Sequence, residues 1–375
     1  MTDPLFPPRW PADAPARLAA ALLAWFDHAK RPMPWRASRD PYRVWVSEVM
    51  LQQTTVAAAG PYYTRFIQAF PTVTTLAAAD EQAVLAHWAG LGYYRRARHL
   101  HAAAKRLAAA YGDTLPDDPA VWADLPGVGR YILGAVMSQA FERRLPVVEA
   151  NTLRVLARLF GSRLDPREGP GKQWVWAAAE ALLPDAQIGD FNQAMMELGA
   201  LVCTPTNPRC GQCPAAGLCE ANRLGLQNSI PPKPKAKQVV EVSEAAAVVR
   251  AGERVLWCQR PPTAKRWASM WEVPHGEREP GESAADASVR VARVYTGLMV
   301  NPGPELCIVK HGVTRFSITM TCVECDVAAG EFTPTAHYTA GRWLTAAEVA
   351  DLPVSSPQKK LAKELAGAGR QRRLF

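Results

Sequence analysis

Apolar residues recur three and four positions apart along the first two-thirds of the chain, and every second position along much of the last third. From residue 16 to 227 the helical spacing holds on an alanine-rich background, with Gly or Pro closing each stretch at short intervals. That pattern predicts a series of short helices with no strand among them. Residues 230–238, IPPKPKAKQ, hold three prolines and three lysines. Such a segment cannot keep a helix and reads as a stiff basic connector. Beyond it, EAAAVVRAGERVLWCQR alternates about a turn at Ala251-Gly252, and RFSITMTCVECDV alternates again. A period of two on both sides of helical text predicts an α+β domain. The expected boundaries are a loose lead-in at 1–14, a helical domain at 15–228, the connector at 229–238, the α+β domain at 239–357 and a basic tail at 358–375.

A length of 375 residues allows two or three domains, each able to bury its own core. Lys and Arg number 43 against 35 Asp and Glu, a net charge of +8 with a pI near 9.1, which suits a polyanionic partner. The apolar run at 18–26 falls far short of the roughly 20 residues a membrane span requires. Four of the eight cysteines, Cys203, Cys210, Cys213 and Cys219, follow one another as C-x6-C-x2-C-x5-C. Bunched thiols argue for metal ligation in a reducing compartment, so a cytoplasmic protein is expected. Zinc usually takes two separated C-x2-C pairs, whereas one pair with longer arms suits an iron–sulfur cubane. The other four, Cys258, Cys307, Cys322 and Cys325, read as small buried residues. On a strand, Cys322 and Cys325 face opposite sides and cannot share a metal.

Three further stretches carry chemistry. In LPGVGRYILGAV, residues 125–136, Gly127 and Gly129 are expected to take the positive φ of a tight turn and to let a nucleic-acid backbone approach. A helix predicted over 131–140 then opens with unpaired N–H groups that favour an anion, and Arg130 adds a charge at its mouth. In DPYRVWVSEVMLQQT, Tyr42, Trp45, Val46, Val49 and Met50 share one helical face, with Glu48 on its flank and Gln52 one turn on. A carboxyl at the rim of a buried stripe is partly desolvated, which raises its pKa and lets it hold a proton to donate. In VVEANTLRVLARLF, Glu149 precedes a helix that Asn151 is expected to cap. One protonated acid and one ionised carboxylate, from separate segments, are what cleavage of a glycosidic bond requires.

With these features in place, the chain resembles the helix-hairpin-helix DNA glycosylases, and among them the adenine-removing MutY family. PWR (34–36), SEVMLQQT (47–54), GLGYYRRAR (90–98), LPGVGRY (125–131), RVLAR (154–158), FNQAMMELGA (191–200) and the cysteine spacing match in order. The resemblance implies a multidomain protein, an all-α helix-hairpin-helix domain with one 4Fe-4S cluster on Cys203, Cys210, Cys213 and Cys219, followed by an α+β Nudix-like (MutT-like) domain. It implies that Glu48 protonates adenine at N7 and manages the water, with Glu149, Tyr131 and Asn151 stabilising the sugar cation. Trp35, Arg36 and Gln193 would line the pocket for the flipped base. Gln53, Thr54, Leu91 and Tyr93 would hold the opposite 8-oxoguanine strand, with Tyr93 wedged into the stack. The implied partner of this monomer is duplex DNA with adenine opposite 8-oxoguanine or guanine.

The chain also departs from that pattern. The family's D-G-N triplet is here Glu149-Ala150-Asn151, one methylene longer, so slower but real catalysis is expected. The alternative is an iron–sulfur DNA-binding protein with lost or altered glycosylase activity. Lyases of the endonuclease III kind carry a lysine directly after LPGVGR. Tyr131 stands there and cannot form a Schiff base, so base removal without strand cutting is expected. In the last third, Gly276, Glu282, Arg290, Gly297 and Leu298 keep the Nudix box spacing, but Val291, Val294 and Tyr295 occupy its carboxylate positions. A magnesium site for phosphate hydrolysis cannot assemble, which leaves recognition as the domain's task. The family's F-S-H loop corresponds to Val313-Thr314-Arg315-Phe316, making Thr314, Arg315 and Phe316 the expected 8-oxoguanine contacts. At the terminus, Gln371, Leu374 and Phe375 resemble the short peptides that bind the replication sliding clamp.

Overall fold

The structure, a computed structural model, describes residues 6–7, 9–234 and 238–372, with side chains as far as residue 367. Packing separates two compact units: the chain to Ala77 with Ala102–Lys235, and Ala78–His101 with Ala236–Phe375. In chain order the helices are α1 (Ala14–Ala29), α2 (Pro41–Leu51), α3 (Val56–Ala69), α4 (Val73–Ala78), α5 (Glu81–Trp88), α6 (Arg95–Tyr111), α7 (Pro119–Ala123), α8 (Arg130–Phe141), α9 (Ala150–Phe160), α10 (Gly169–Ala181), α11 (Ile188–Leu201) and α12 (Glu220–Arg223). No strand forms among the described residues of this stretch, as the apolar spacing predicts.

The first unit is organised around α9. Its Val155, Leu156 and Leu159 pack with Leu18, Leu22 and Phe26 of α1, Val175 of α10 and Phe191, Met195 and Leu198 of α11. Each such buried side chain stabilises by about 1.5–3 kcal/mol, so this seam is one strong support of the unit. Helix α11 reaches α9 closely because a Cβ at Gly199 would stand 3.0 Å from the Asn151 backbone. The expected loose lead-in is corrected: Trp10 is buried, rings with Phe160 at 5.1 Å and donates to the Leu218 carbonyl at 2.9 Å. Two aromatic residues at 6 and 10 have apolar surface to cover, and that outweighs the neighbouring prolines.

The second unit carries β1 (Val240–Ala251), β2 (Arg254–Gln259), β3 (Trp271–Glu272), β4 (His275–Glu277), α13 (Ala284–Thr296), β5 (Met299–Val313), β6 (Phe316–Ala329), β7 (Ala340–Leu344) and α14 (Ser356–Arg372). The sheet order is β3-β2-β1-β6-β5, with β4 added to β1 and β7 to β2. Strands β1 and β6 run parallel in continuous register from Val240↔Phe316 to Arg250↔Asp326. Ala245, Ala247 and Val249 join Ala287 and Ala292 of α13, while Ala246 and Val248 join Leu361 and Leu365 of α14. A helix on each face buries both sides, so residues 320–325 of β6 are all buried and show no in–out alternation. Cys325 and Cys322 fall in the two opposite cores, as their spacing predicts.

Two expected boundaries shift. The basic tail expected from 358 belongs to a helix: α14 begins at Ser356 and buries Leu361 and Leu365. The segment Ala78–His101 packs with the second unit, where Gln82 donates to the Ser269 carbonyl at 3.0 Å and accepts from Trp271 Nε1 at 3.1 Å. Of the terminal motif, the Gln371 side chain and residues 374 and 375 lie outside the described residues. Among the described residues no helix is long and apolar enough to cross a membrane.

Candidate active site

Asp40 caps α2 by accepting from the Arg43 N–H at 2.8 Å, and Pro41 presets the first turn. Beyond that turn the helix is buried all round, from Val44 to Met50. Glu48, expected on the flank of an apolar face, is therefore fully enclosed at 3% exposure. The Tyr131 hydroxyl of α8 donates to its Oε2, and Gln139 Nε2, farther along the same helix, donates to Oε1 at 2.9 Å. Burial raises the Glu48 pKa, and the two neutral donors with the Arg36 charge oppose the rise without cancelling it. The result is a carboxyl disposed to keep its proton. Burial and the Glu48 and Glu149 charges push the Tyr131 hydroxyl well above its ordinary pKa, which keeps it a donor. Gln139 escaped the reading of the sequence. Its one signal was a glutamine eight positions after Tyr131 within the buried stripe of α8.

Glu149, not Asn151, caps α9. Its Oε2 accepts from the Asn151 N–H at 2.8 Å and its Oε1 from the Thr152 N–H at 3.0 Å, while Thr152 Oγ1 accepts from the Glu149 N–H at 2.8 Å. The capping expectation for Asn151 is corrected: its amide oxygen accepts from Arg154 at 2.9 Å instead. The longer glutamate allows the exchange, because from two positions earlier it reaches over the helix end to the Asn151 and Thr152 N–H groups. Burial raises the Glu149 pKa, opposed by the two backbone donors and Arg154, and reinforced by the Glu48 charge. The structure thus brings Glu48, Tyr131 and Glu149 within one electrostatic site.

Beside them, Trp35 lies in a short 3-10 turn (Pro34–Ala37), buried edge-on to Tyr63 with ring centroids 5.4 Å apart. Arg36 donates to Gln193 Oε1 at 3.0 Å and to Glu197 Oε2 at 3.2 Å, while Arg31 donates to Glu197 Oε1 at 2.7 Å. Burial pushes Glu197 up, but the bonds from Arg31 and Arg36 outweigh it and hold its pKa below the ordinary value. Glu197, too, went unread inside FNQAMMELGA.

The glycine turn departs from expectation at one residue. Gly127 has φ +79°, but Gly129 is extended at φ −93° and serves as the N-cap of α8, with open space where a Cβ would stand. No side chain caps that helix start. Arg130 does not stand free at its mouth, because its guanidinium stacks 4.1 Å from the Trp176 ring. Among the residues expected to meet the opposite strand, Gln53, Tyr93 and Thr314 all hold positive φ, at 58°, 48° and 55°. Such conformations are costly for these residues and gather at binding surfaces. Tyr93 is 52% exposed, whereas Leu91 is buried at 7% and does not present its side chain to solvent. Thr54 closes its turn through a bond to the Leu51 carbonyl at 3.3 Å. In the β5–β6 hairpin the Arg315 guanidinium lies 5.2 Å from the Phe316 ring, and that of Arg266, between β2 and β3, lies 4.6 Å from it.

Cys203, Cys210, Cys213 and Cys219 are all partly buried. Among the described residues no three His, Cys, Asp or Glu side chains converge on a single-ion site. The thiols nevertheless act on one another: burial and the other three cysteines push the Cys213 thiol up to about 12. Buried Arg158 donates to Cys203 Sγ at 3.3 Å and to the Thr204 carbonyl at 2.7 Å, with no carboxylate among its described partners. A buried cation without a counter-ion beside four thiols fits an anionic group held by all four.

Residues 46–176 match the HhH-GPD superfamily of base excision DNA repair proteins, and residues 245–364 match the NUDIX domain. The chain is 35% identical to the adenine DNA glycosylase of Homo sapiens across 92% of its own length and 73% of that protein. It is 42% identical to the adenine DNA glycosylase of Mycolicibacterium smegmatis across 52% of its length and 66% of that protein. Among solved structures, a thermostable thymine-DNA glycosylase superposes with a TM-score of 0.51 at 28% identity, covering 56% of this chain and 97% of that one.

Proposed function

The chain belongs to the adenine DNA glycosylase family, a family of base excision repair, and from that membership we propose that it hydrolyses the N-glycosidic bond of adenine opposite 8-oxoguanine or guanine. The observation that carries the reading is the pairing of a buried Glu48, disposed to hold its proton, with Glu149, whose pKa burial also raises but whose carboxylate, unlike that of Glu48, is met by two backbone N–H groups and Arg154. Glu48 donates its proton to the leaving base at N7. Glu149, with Tyr131 and Asn151, faces the positive charge that develops on the sugar. Arg36 and Gln193, already bonded to each other, present the polar wall of a base pocket closed by Trp35. Tyr131 is no amine nucleophile, so the product is an abasic site with the strand intact. The uncapped start of α8 and the open face of Gly129 receive a phosphate. Tyr93, Gln53, Thr54, Thr314, Arg315 and Phe316 are assigned to the lesion strand, and the terminal Gln371, Leu374 and Phe375 to a sliding clamp.

Cys203, Cys210, Cys213 and Cys219 would hold one 4Fe-4S cluster, which when bound ties residues 203–219 together and adds its binding energy to folding. Cys210→Ala is expected to lower folded yield and brown absorption together. Normal yield of colourless, active protein would count against the cluster.

The function is tested by incubating the protein with a duplex carrying adenine opposite 8-oxoguanine, then splitting the sample. Strand breaks at the adenine only after alkali support the reading. Breaks before alkali, with a borohydride-trapped adduct, would replace it with a lyase, and no breaks in either half with binding retained would favour a DNA-binding protein that has lost catalysis.

A further inference from the structure

The Glu48 carboxyl has to serve in two charge states, proton-bearing before the base leaves and ionised after, yet it sits in a site with little room to reorient. Tyr131 meets one of its oxygens and Gln139 the other, and the remaining charged groups acting on it are Arg36 and Glu149. Gln139 differs from the rest in what the end of its side chain offers. An amide carries donors on nitrogen and an acceptor on oxygen, and a half-turn about the last bond exchanges them without moving the chain. Gln139 is itself buried, and among the described residues its side chain has no hydrogen bond other than the one to Glu48. Its oxygen makes no bond among the described residues, so no protein partner opposes that half-turn.

Resting on the assignment of Glu48 as proton donor, we propose that Gln139 is a positioning residue that holds Glu48 in one orientation through both protonation states. Its NH2 donates to Glu48 Oε1 when the carboxylate is ionised. Turned over, its carbonyl oxygen accepts a hydrogen bond from the protonated Oε1 when the acid is loaded. Donation to a charged carboxylate is the stronger of the two bonds, so the net action of Gln139 is to hold the Glu48 titration down toward working pH.

The test follows Glu48 by carbon NMR in protein carrying 13C-labelled glutamate, with its resonance identified by its absence from Glu48→Gln. The same preparations are assayed for single-turnover adenine release across pH. Gln139→Met keeps the length and removes the amide. The Glu48 midpoint and the alkaline limb of the rate profile are expected to move up together by about one pH unit. Gln139→Glu preserves size, and a second carboxyl beside the first should move both still higher. A merely structural glutamine would lower the melting temperature and leave the midpoint in place. Coincident Glu48 titrations in wild type and both variants overturn the proposal. A shifted titration in a wild-type background that releases no adenine would remove the functional reading and leave the positioning role intact.

Discussion

Each unit buries a carboxyl completely, and the two end in opposite states. Glu48 lies among neutral hydrogen-bond donors, and its pKa is raised by burial. Glu272, in β3, is 1% exposed; burial pushes it up too, but His275 and Arg260 outweigh that and hold its pKa below the ordinary value. Arg260 donates to Glu272 Oε1 at 2.7 Å and Tyr338 to the same oxygen at 3.0 Å. His275 Nε2 stands 3.3 Å from Glu272 Oε2, close enough for charge attraction though not aligned as a hydrogen bond, and its Nδ1 donates to Glu244 at 2.9 Å. Burial alone therefore does not decide whether a carboxyl is an acid or an ion; the charge of its partners does. The first arrangement is fit to pass a proton on. The second is a neutralised structural network, and it lines a cavity of about 180 Å³ bounded also by Trp267 and Tyr295.

The sharpest way to break this contrast is to neutralise each acid in turn. Glu48→Gln should lower single-turnover adenine release by about 10²–10⁴-fold, the usual share of general acid catalysis, while the protein folds as well as before. Retained activity would move the proton donor elsewhere. Glu272→Ala should do the reverse. It removes the carboxylate that Arg260 and Tyr338 donate to and leaves His275 with Glu244 alone, and should cost about 1–3 kcal/mol in stability, with the rate of adenine release from bound duplex little changed. A Glu272→Ala protein with an unaltered denaturation midpoint would show the network to be unimportant.

A gentler test uses pH. The folded-state pKa of His275 is raised to about 10 from an ordinary 6.5; burial alone would lower it, but Glu272 and Glu244 outweigh that. A raised basic group stabilises fully below its unfolded pKa and loses that contribution as pH rises through the folded one. Stability should therefore fall between about pH 6.5 and 10, and that slope should flatten in His275→Gln. Glu48 acts with the same sign over a more acidic window. The native state binds the extra proton above the ordinary 4.5, so stability declines as pH rises through its raised pKa. Glu48→Gln should remove that decline and be slightly more stable than wild type at neutral pH. Parallel stability–pH curves for wild type and both variants would contradict these assignments.

The helical unit, the α+β unit, the connector and the four clustered cysteines follow from spacing, because 3.6 and 2 are the periods of the backbone itself and prolines interrupt both. Glu48 could be read as an acid beside an apolar stripe, Glu149 as an acid just ahead of a helix, and Tyr131 as the residue that follows a glycine turn. What spacing could not reach were contacts made across the fold. Full enclosure of Glu48 needs α8 and the turn at Pro34–Ala37 laid against α2, and its bond to Gln139 joins residues 91 positions apart. The transfer of the α9 cap from Asn151 to Glu149 depends on the reach of one extra methylene and on Arg154 taking up the Asn151 amide. The left-handed backbone at Gln53, Tyr93 and Thr314 leaves no mark in residue type, since none of them is a residue that prefers it. The burial of both faces of β6 required a terminal helix that composition alone presents as a charged tail. A residue's own chemistry is local and can be read in order; its pKa, its partner and its exposure are set by neighbours that only folding supplies.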